Sequence, residues 1–402
     1  MLIPVDIIQR EITRTNPDCV LYCPRRIEYE SDNVHLHVIK HPCGKLFAVW
    51  TQSNYDGCGN NHAVFAIGSP DGKNWTEPKY IVGCTEDHSG DDTQASWAVP
   101  VMSKSGKIYV IYLSELDNAN HEEGSFCGIF KVISTTDLGQ TWSEPAVIEA
   151  PVTPRDYSRS QQNVIFQIPT RLPDGRFLVG FTKWTSYRLY KPAERWSFRD
   201  SRVCFFHLEN VDDDPDAANL RYTFLPESAD IVLPSPSDPS IGVVQEPSIV
   251  ILPDGRLFCA LRTVMGYAAY AVSADNGTTW SAPKPIRFTD GSLFEHPLSP
   301  APIYEIGQER YALLYHGHAE DVCHCRNPLL RAVGHYAPDA EQPIAFEKAE
   351  SALYMQLPDE ATIPSHEKNQ LAMYGSVCEV NGRKMLWYPE RKFFLLGKYL
   401  DN

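Results

Sequence analysis

Three segments far apart in this chain carry one pattern. "TTDLGQTW" and "SADNGTTW" place a small hydroxyl residue, an aspartate, a glycine and a tryptophan at the same spacing: Thr135, Asp137, Gly139 and Trp142 in one, Ser273, Asp275, Gly277 and Trp280 in the other. "SPDGKNW", from Ser69 to Trp75, is a copy shortened by one residue. Each is followed by a small polar residue and then closely by a proline, so the unit recurs with its surroundings. An internal repeat of this kind means that one supersecondary unit is used several times, each copy burying its apolar face against the next.

A second repeat fixes the size of the unit. A glycine, a basic residue and an apolar pair recur in "CGKLFAVW", "SGKIYVIY", "DGRFLVGF" and "DGRLFCAL", with degenerate copies "GQERYALLY" and "NGRKMLWY". The glycines Gly44, Gly106, Gly175, Gly255, Gly307 and Gly382 are 62, 69, 80, 52 and 75 residues apart, and each marks a hairpin turn between two strands. Short β-branched and aromatic runs lie between Pro, Gly, Asn and Asp clusters, and no long stretch keeps a 3.6-residue period. The reading is an all-β chain, a β-propeller of six blades by turn count, or seven if a degenerate turn hides one more. Residues 1–402 read as one propeller domain, with the N-terminal "CVLYCPR" closing the last blade as its outer strand.

Strand order then assigns the ends. With strands counted from the centre outward, the glycine turns join first to second and the tryptophan-bearing turns join third to fourth, so both kinds lie at one end. The starts of first strands and the ends of second strands collect at the other. The repeated motif is therefore scaffolding: Asp275 satisfies turn amides, Gly277 takes positive φ and Trp280 packs between blades.

Charge excludes some partners. Thirty-six basic against 51 acidic side chains give a net −15, which argues against nucleic acid and leaves an anionic substrate to be caught by a few local arginines. Asp6, Arg10 and Glu11 interrupt the apolar residues of the N-terminus, so it reads as neither signal peptide nor membrane span. The expectation is a cytoplasmic chain, or a secreted one if a signal was trimmed. No cofactor motif is present. His316, His318, Cys323, His324 and Cys325 could supply zinc ligands but match no standard spacing, and the acidic run Asp212 to Asp216 suits a solvated loop better than calcium.

Repeated S-x-D-x-G-x-x-W units on a propeller resemble the Asp-box, or BNR-repeat, sialidase-like superfamily. The resemblance implies a glutamate on a first strand and an arginine at the end of the following second strand, matched by Glu246 and Arg262 in "QEPSIVILPDGRLFCALRT". It also implies a later arginine opening a third strand, matched by Arg326, with Arg331 nearby, and a nucleophilic tyrosine before a late first strand, matched by Tyr374. Two positions depart. The first-blade arginine of sialidases is replaced by His35 or His37, and the loop that should carry the acid/base aspartate offers Asp56 and His62. That loop also resembles the first-blade loop of propellers that cleave rhamnose from glucuronate, a branch of lyases and rhamnosidases typically described as seven-bladed.

The function these residues imply is cleavage of a glycosidic bond at an acidic sugar, a uronic acid, in an oligosaccharide or polysaccharide, by a lyase or an exo-glycosidase. Arg262 and Arg326 would hold the carboxylate. His62, Tyr374 and Glu246 would do the chemistry, and Trp97, Gln167, Arg171 and His35 would wall the sugar. The alternatives are an exo-sialidase-type hydrolase and a propeller that binds acidic glycans without turnover.

Overall fold

The computed structural model describes residues 3–26, 30–53, 61–84, 94–114, 128–157, 161–190, 199–319, 326–356, 371 and 374–400. Its strands form six antiparallel sheets arranged as the blades of a sialidase-like propeller, the number the glycine turns imply. Blade 1 contains strands Asp32–Lys40, Leu46–Ser53, His62–Gly68 and Lys79–Gly83, and blade 2 contains Ser96–Met102, Ile108–Ser114, Ile129–Thr135 and Ala146–Ile148. In blade 3 the inner strand is split into Asn163–Ile165 and Thr170–Arg171, and Phe177–Trp184, Ser201–Leu208 and Tyr222–Phe224 follow outward. Blade 4 is Val244–Ile251, Leu257–Thr263, Ala269–Ser273 and Lys284–Pro285, and blade 5 is built on Ile303–Gly307, Arg310–Tyr315, Leu329–Tyr336 and Ile344–Phe346. In blade 6, Ser376–Val380, Arg383–Glu390 and Phe394–Tyr399 are joined on the outside by the N-terminal strand Cys19–Tyr22, which pairs Cys19 with Gly397. No helix among the described residues is long and apolar enough to cross a membrane.

The core lies in the seams. Apolar clusters join each blade to the next, such as Phe47, Phe65, Val110 and Ile133 between blades 1 and 2, or Trp50, Leu36, Met385 and Trp387 between blades 1 and 6. The repeated motif locks these seams. Ser273 donates its hydroxyl to Asp275 Oδ1 at 2.8 Å, and Asp275 also accepts the Thr279 amide at 2.8 Å and the Thr279 hydroxyl at 2.6 Å. Trp280 then stacks on Phe205 of blade 3, 4.9 Å between ring centroids, as Trp142 of blade 2 meets Phe65 of blade 1 and Trp75 of blade 1 meets Trp387 of blade 6. Gly277 has a φ of 85°, and a Cβ there would fall 2.7 Å from Leu178, so only glycine lets the turn approach the neighbouring blade.

Candidate functional site

The mouth opposite these turns is shaped by a recurring irregularity of the innermost strands. In blades 1, 2 and 4 the pairing of first with second strand slips between Val34 and His37, between Ser96 and Val99, and between Gln245 and Ser248. In each case three residue steps on the first strand face two on the second, the signature of a β-bulge. The bulged residues are His35, Trp97 and Glu246, with φ of 55°, 52° and 48°. None is glycine, and such backbone costs on the order of 1–3 kcal/mol each, a strain found where a side chain must be re-aimed.

Glu246 is thereby turned towards Arg262, the residue paired with its neighbour Gln245 across the sheet. Arg262 Nη1 donates to both carboxylate oxygens at 2.9 Å, with both side chains buried. The Glu246 amide donates to Thr182 Oγ1 of blade 3 at 2.7 Å, fixing the bulge. Tyr374, one residue ahead of the Gly375–Ser376 step that opens blade 6, donates its hydroxyl to Glu246 Oε1 at 3.3 Å. Its backbone is held from two sides: its carbonyl accepts the Leu36 amide at 2.8 Å, and the Gly375 carbonyl accepts the Tyr304 hydroxyl at 2.9 Å. Gln167 of blade 3 in turn donates to Tyr304 at 3.3 Å, tying blades 3, 5 and 6 together.

The ring of Tyr374 is enclosed. His35 lies 4.7 Å from it, centroid to centroid, Phe166 meets it edge-on at 5.8 Å, and Trp97 sits 5.5 Å beyond His35. Burial, followed by the Glu246 charge, raises the Tyr374 pKa, while Arg262, Arg326 and Lys392 pull it down. His35 is held well below the ordinary histidine range, by burial first and by Lys392 second, so its ring is neutral at pH 7. Burial lowers the Arg262 pKa, but Glu246 and Tyr374 more than offset this and the guanidinium stays charged.

Arg326 reaches the same place from blade 5. It is buried, donates Nη2 to the Leu298 carbonyl at 3.3 Å, and has no partner for Nε or Nη1 among the described residues. Buried donors without acceptors are costly, and an anionic oxygen would satisfy both. Arg331, the competing position, instead turns outward to Glu350 at 3.2 Å.

Other expected residues fall elsewhere. Arg171 is not at the mouth: it pairs with Phe177, two residues beyond Gly175, which puts it at the end of the glycine turns. There it binds Asp212 at 2.5 Å and the Met102 carbonyl at 2.8 Å, a structural clamp between blades. It cannot wall a sugar subsite, because four residues before Gly175 it holds the place that Ile251 holds before Gly255, at the last pair before the turn. Within the acidic run, Asp212 also meets Lys104 at 3.2 Å, and Lys107 Nζ donates to the Asp214 and Pro215 carbonyls. His62, by contrast, is at the mouth end: it opens the third strand of blade 1 opposite Gln52, its Nε2 3.3 Å from Gln52 Oε1 and its ring 6.2 Å from Tyr80. Asp56, Cys323, His324 and Cys325 lie outside the described residues. His316, their neighbour, is buried with Nδ1 3.1 Å from the Pro328 carbonyl.

Sequence reasoning missed Lys392. It follows the second strand of blade 6, and its Nζ lies 5.7 Å from the centroid of the Tyr374 ring. The rule that located Arg262, that ends of second strands gather at the mouth, applies equally to "PERKFF".

Six antiparallel four- and five-stranded blades in a ring make this a sialidase-like propeller. Residues 44–293 match the model of the BNR repeat-like domain, and the chain belongs to that family. No curated protein matches it. Among solved structures, a leech intramolecular trans-sialidase is similar at 12% identity, over 99% of this chain and 72% of that one, with a TM-score of 0.65. The intramolecular trans-sialidase of Ruminococcus gnavus is similar at 11% identity, over 96% and 98%, with a TM-score of 0.62. A protein of unknown function from Dyadobacter fermentans shares 16% identity over 96% and 97%, with a TM-score of 0.61. At these identities the likeness is one of fold.

Proposed function

We propose that the chain is a glycoside hydrolase of the sialidase type, acting on a terminal sugar that carries a carboxylate. The observation that carries this reading is Glu246, whose carboxylate is shared between the Arg262 guanidinium and the Tyr374 hydroxyl. A tyrosine held against a carboxylate is a nucleophile with its base in place. In this mechanism the open donors of Arg326, together with Arg262, hold the substrate carboxylate. Tyr374 Oη attacks the anomeric carbon and its proton passes to Glu246. The leaving oxygen takes a proton from the acid, for which His62 is the assigned residue and Asp56 the next. Water then opens the glycosyl–tyrosine bond, giving its proton to the same acid/base group while the departing Tyr374 oxygen takes its own proton back from Glu246, and configuration is retained. A neutral tyrosine suits an anionic sugar because a carboxylate nucleophile would be repelled by the substrate's own charge.

One observation favours a second reading, elimination at a uronic acid. His35 is neutral, buried and stacked near Tyr374, and its Nδ1 has no partner among the described residues, so the pair could remove a proton next to a clamped carboxylate. The six blades depart from the seven typical of the rhamnose–glucuronate branch. A screen of sialosides, rhamnosyl-glucuronides and ulvan-type fragments separates the readings. Hydrolysis of a sialoside with a mass adduct trapped on Tyr374 supports the first. An unsaturated uronate absorbing in the ultraviolet replaces it with the second, and glycan binding without turnover ends both.

A further inference from the structure

Arg391 and Lys392 are consecutive, neither is glycine, and both have positive φ, 53° and 55°. Two such residues in a row are expensive and persist only where the surroundings over-determine them. Here the surroundings can be named. The buried Arg391 guanidinium gives Nε to Glu390 Oε1 at 2.6 Å, Nη2 to Glu390 Oε2 at 3.0 Å and Nη1 to Glu11 Oε2 at 2.7 Å. Glu11 ends the N-terminal helix Val5–Glu11, and Arg14 Nη2 lies 2.5 Å from the same carboxylate oxygen. From the other side, the Asn33 amide donates to the Lys392 carbonyl at 2.6 Å, and Asn33 Nδ2 donates to the Phe393 carbonyl at 2.9 Å.

The turn is thus pinned between a buried ionic cluster and the innermost strand of blade 1. What it presents is an ammonium group. Lys392 is buried, with Nζ 5.7 Å from the centroid of the Tyr374 ring. Lysines are rarely buried to this degree unless their charge is paired, and the Tyr374 ring is one group that this ammonium faces.

We propose that Lys392 is a positioning residue of the Tyr374 site: the pinned turn holds its ammonium against the ring, where it stabilises negative charge building on the Tyr374 hydroxyl. Among the described residues, the charged and titratable groups around Tyr374 are Glu246, Arg262, Arg326, His35 and Lys392. Glu246 opposes ionisation and also compensates Arg262, which grips it with one nitrogen on both oxygens. Lys392 approaches from blade 6 itself, so its effect is separable from that pair. Its catalytic meaning rests on the tyrosine acting as nucleophile; its electrostatic effect does not.

The test needs no substrate. A fluorinated tyrosine placed at position 374 brings ionisation into a measurable range, and its midpoint is read by ¹⁹F NMR titration of the full chain. Lys392→Met should raise the midpoint by about one pH unit or more, the effect of removing a cation at this range, and Lys392→Arg should restore it. If the methionine variant misfolds, Lys392→Gln gives the same comparison. Glu11→Gln, which leaves Arg391 one carboxylate short, should move the midpoint the same way by less. An unmoved midpoint in the Lys392 variants overturns the proposal, and an effect of Lys392 without one of Glu11 overturns the pinning by the N-terminal helix. A shifted midpoint in a chain that cleaves no acidic glycoside would leave Lys392 as assigned and sink the hydrolase reading instead.

Discussion

Tyr374 and Glu246 are 128 residues apart in sequence, and their side-chain oxygens lie 3.3 Å apart. One comes from the start of blade 6 and the other from a strained bulge in blade 4, and the contact gives the tyrosine a proton acceptor. Tyr374→Phe removes the oxygen proposed as nucleophile while leaving the ring that packs on His35 and Phe166. Turnover should fall by several orders of magnitude with substrate binding nearly unchanged. Measured kcat and KM for the variant decide this: a loss confined to KM would mean the hydroxyl only binds.

The two arginines should differ in what they cost the protein. Arg262→Ala leaves Glu246 as a buried charge without its partner, so the fold should lose about 3–5 kcal/mol in addition to activity. Arg326→Ala removes two donors that have no partner among the described residues. It should weaken binding of a carboxylate sugar, by about 2–5 kcal/mol, with a much smaller fall in stability. Denaturant melts beside binding isotherms for both variants would show the contrast, and equal stability losses would refute it.

His62→Ala tests the acid/base assignment. It should reduce turnover on the order of 10²–10⁴-fold and leave binding almost intact. The effect should shrink for substrates with a good leaving group, which need no proton. A fully active variant would move the role to Asp56.

Stability should decline in mild acid because of buried histidines. His37 and His296 are both pushed by burial from 6.5 down to about 3. Above pH 6.5 each is neutral in folded and unfolded chains alike. As pH falls from 6.5 towards 3 the unfolded chain binds protons that the folded chain refuses, so each costs about 1.4 kcal/mol per pH unit across that window. Both ring nitrogens of His37 lack partners among the described residues, so His37→Leu removes a titration without removing a hydrogen bond. Thermal melts from pH 7 to pH 5 should have a shallower slope for this variant than for the wild type; parallel slopes would contradict the account.

Asp275 offers a control at the far end. Asp275→Ala removes the acceptor for Ser273 and Thr279 and should lower stability by about 1–2 kcal/mol. Kinetic constants should not change, since the turn lies opposite the mouth. A selective loss of activity in a stable variant would mean that the repeated motif does more than hold blades together.

The repeated turns pointed to six blades, with a seventh left open, and to the end at which the tryptophans pack; the resemblance to sialidase-like propellers singled out Glu246, Arg262, Arg326 and Tyr374 for the other end. This was legible because turn chemistry is local: Gly277 and Asp275 are needed by the backbone within a few residues of themselves. Which side chains meet at the mouth was decided by tertiary structure. The bulges at His35, Trp97 and Glu246 arise from pairing with a second strand and carry no glycine to mark them. Arg171 was misplaced although its spacing was legible: four residues before Gly175 it lies at the turn end, as Ile251 does before Gly255. The turn that carries Lys392 is held by Glu11, through Arg391, and by Asn33, hundreds of residues away in sequence, and such long-range closure exists only once the ring of blades is complete.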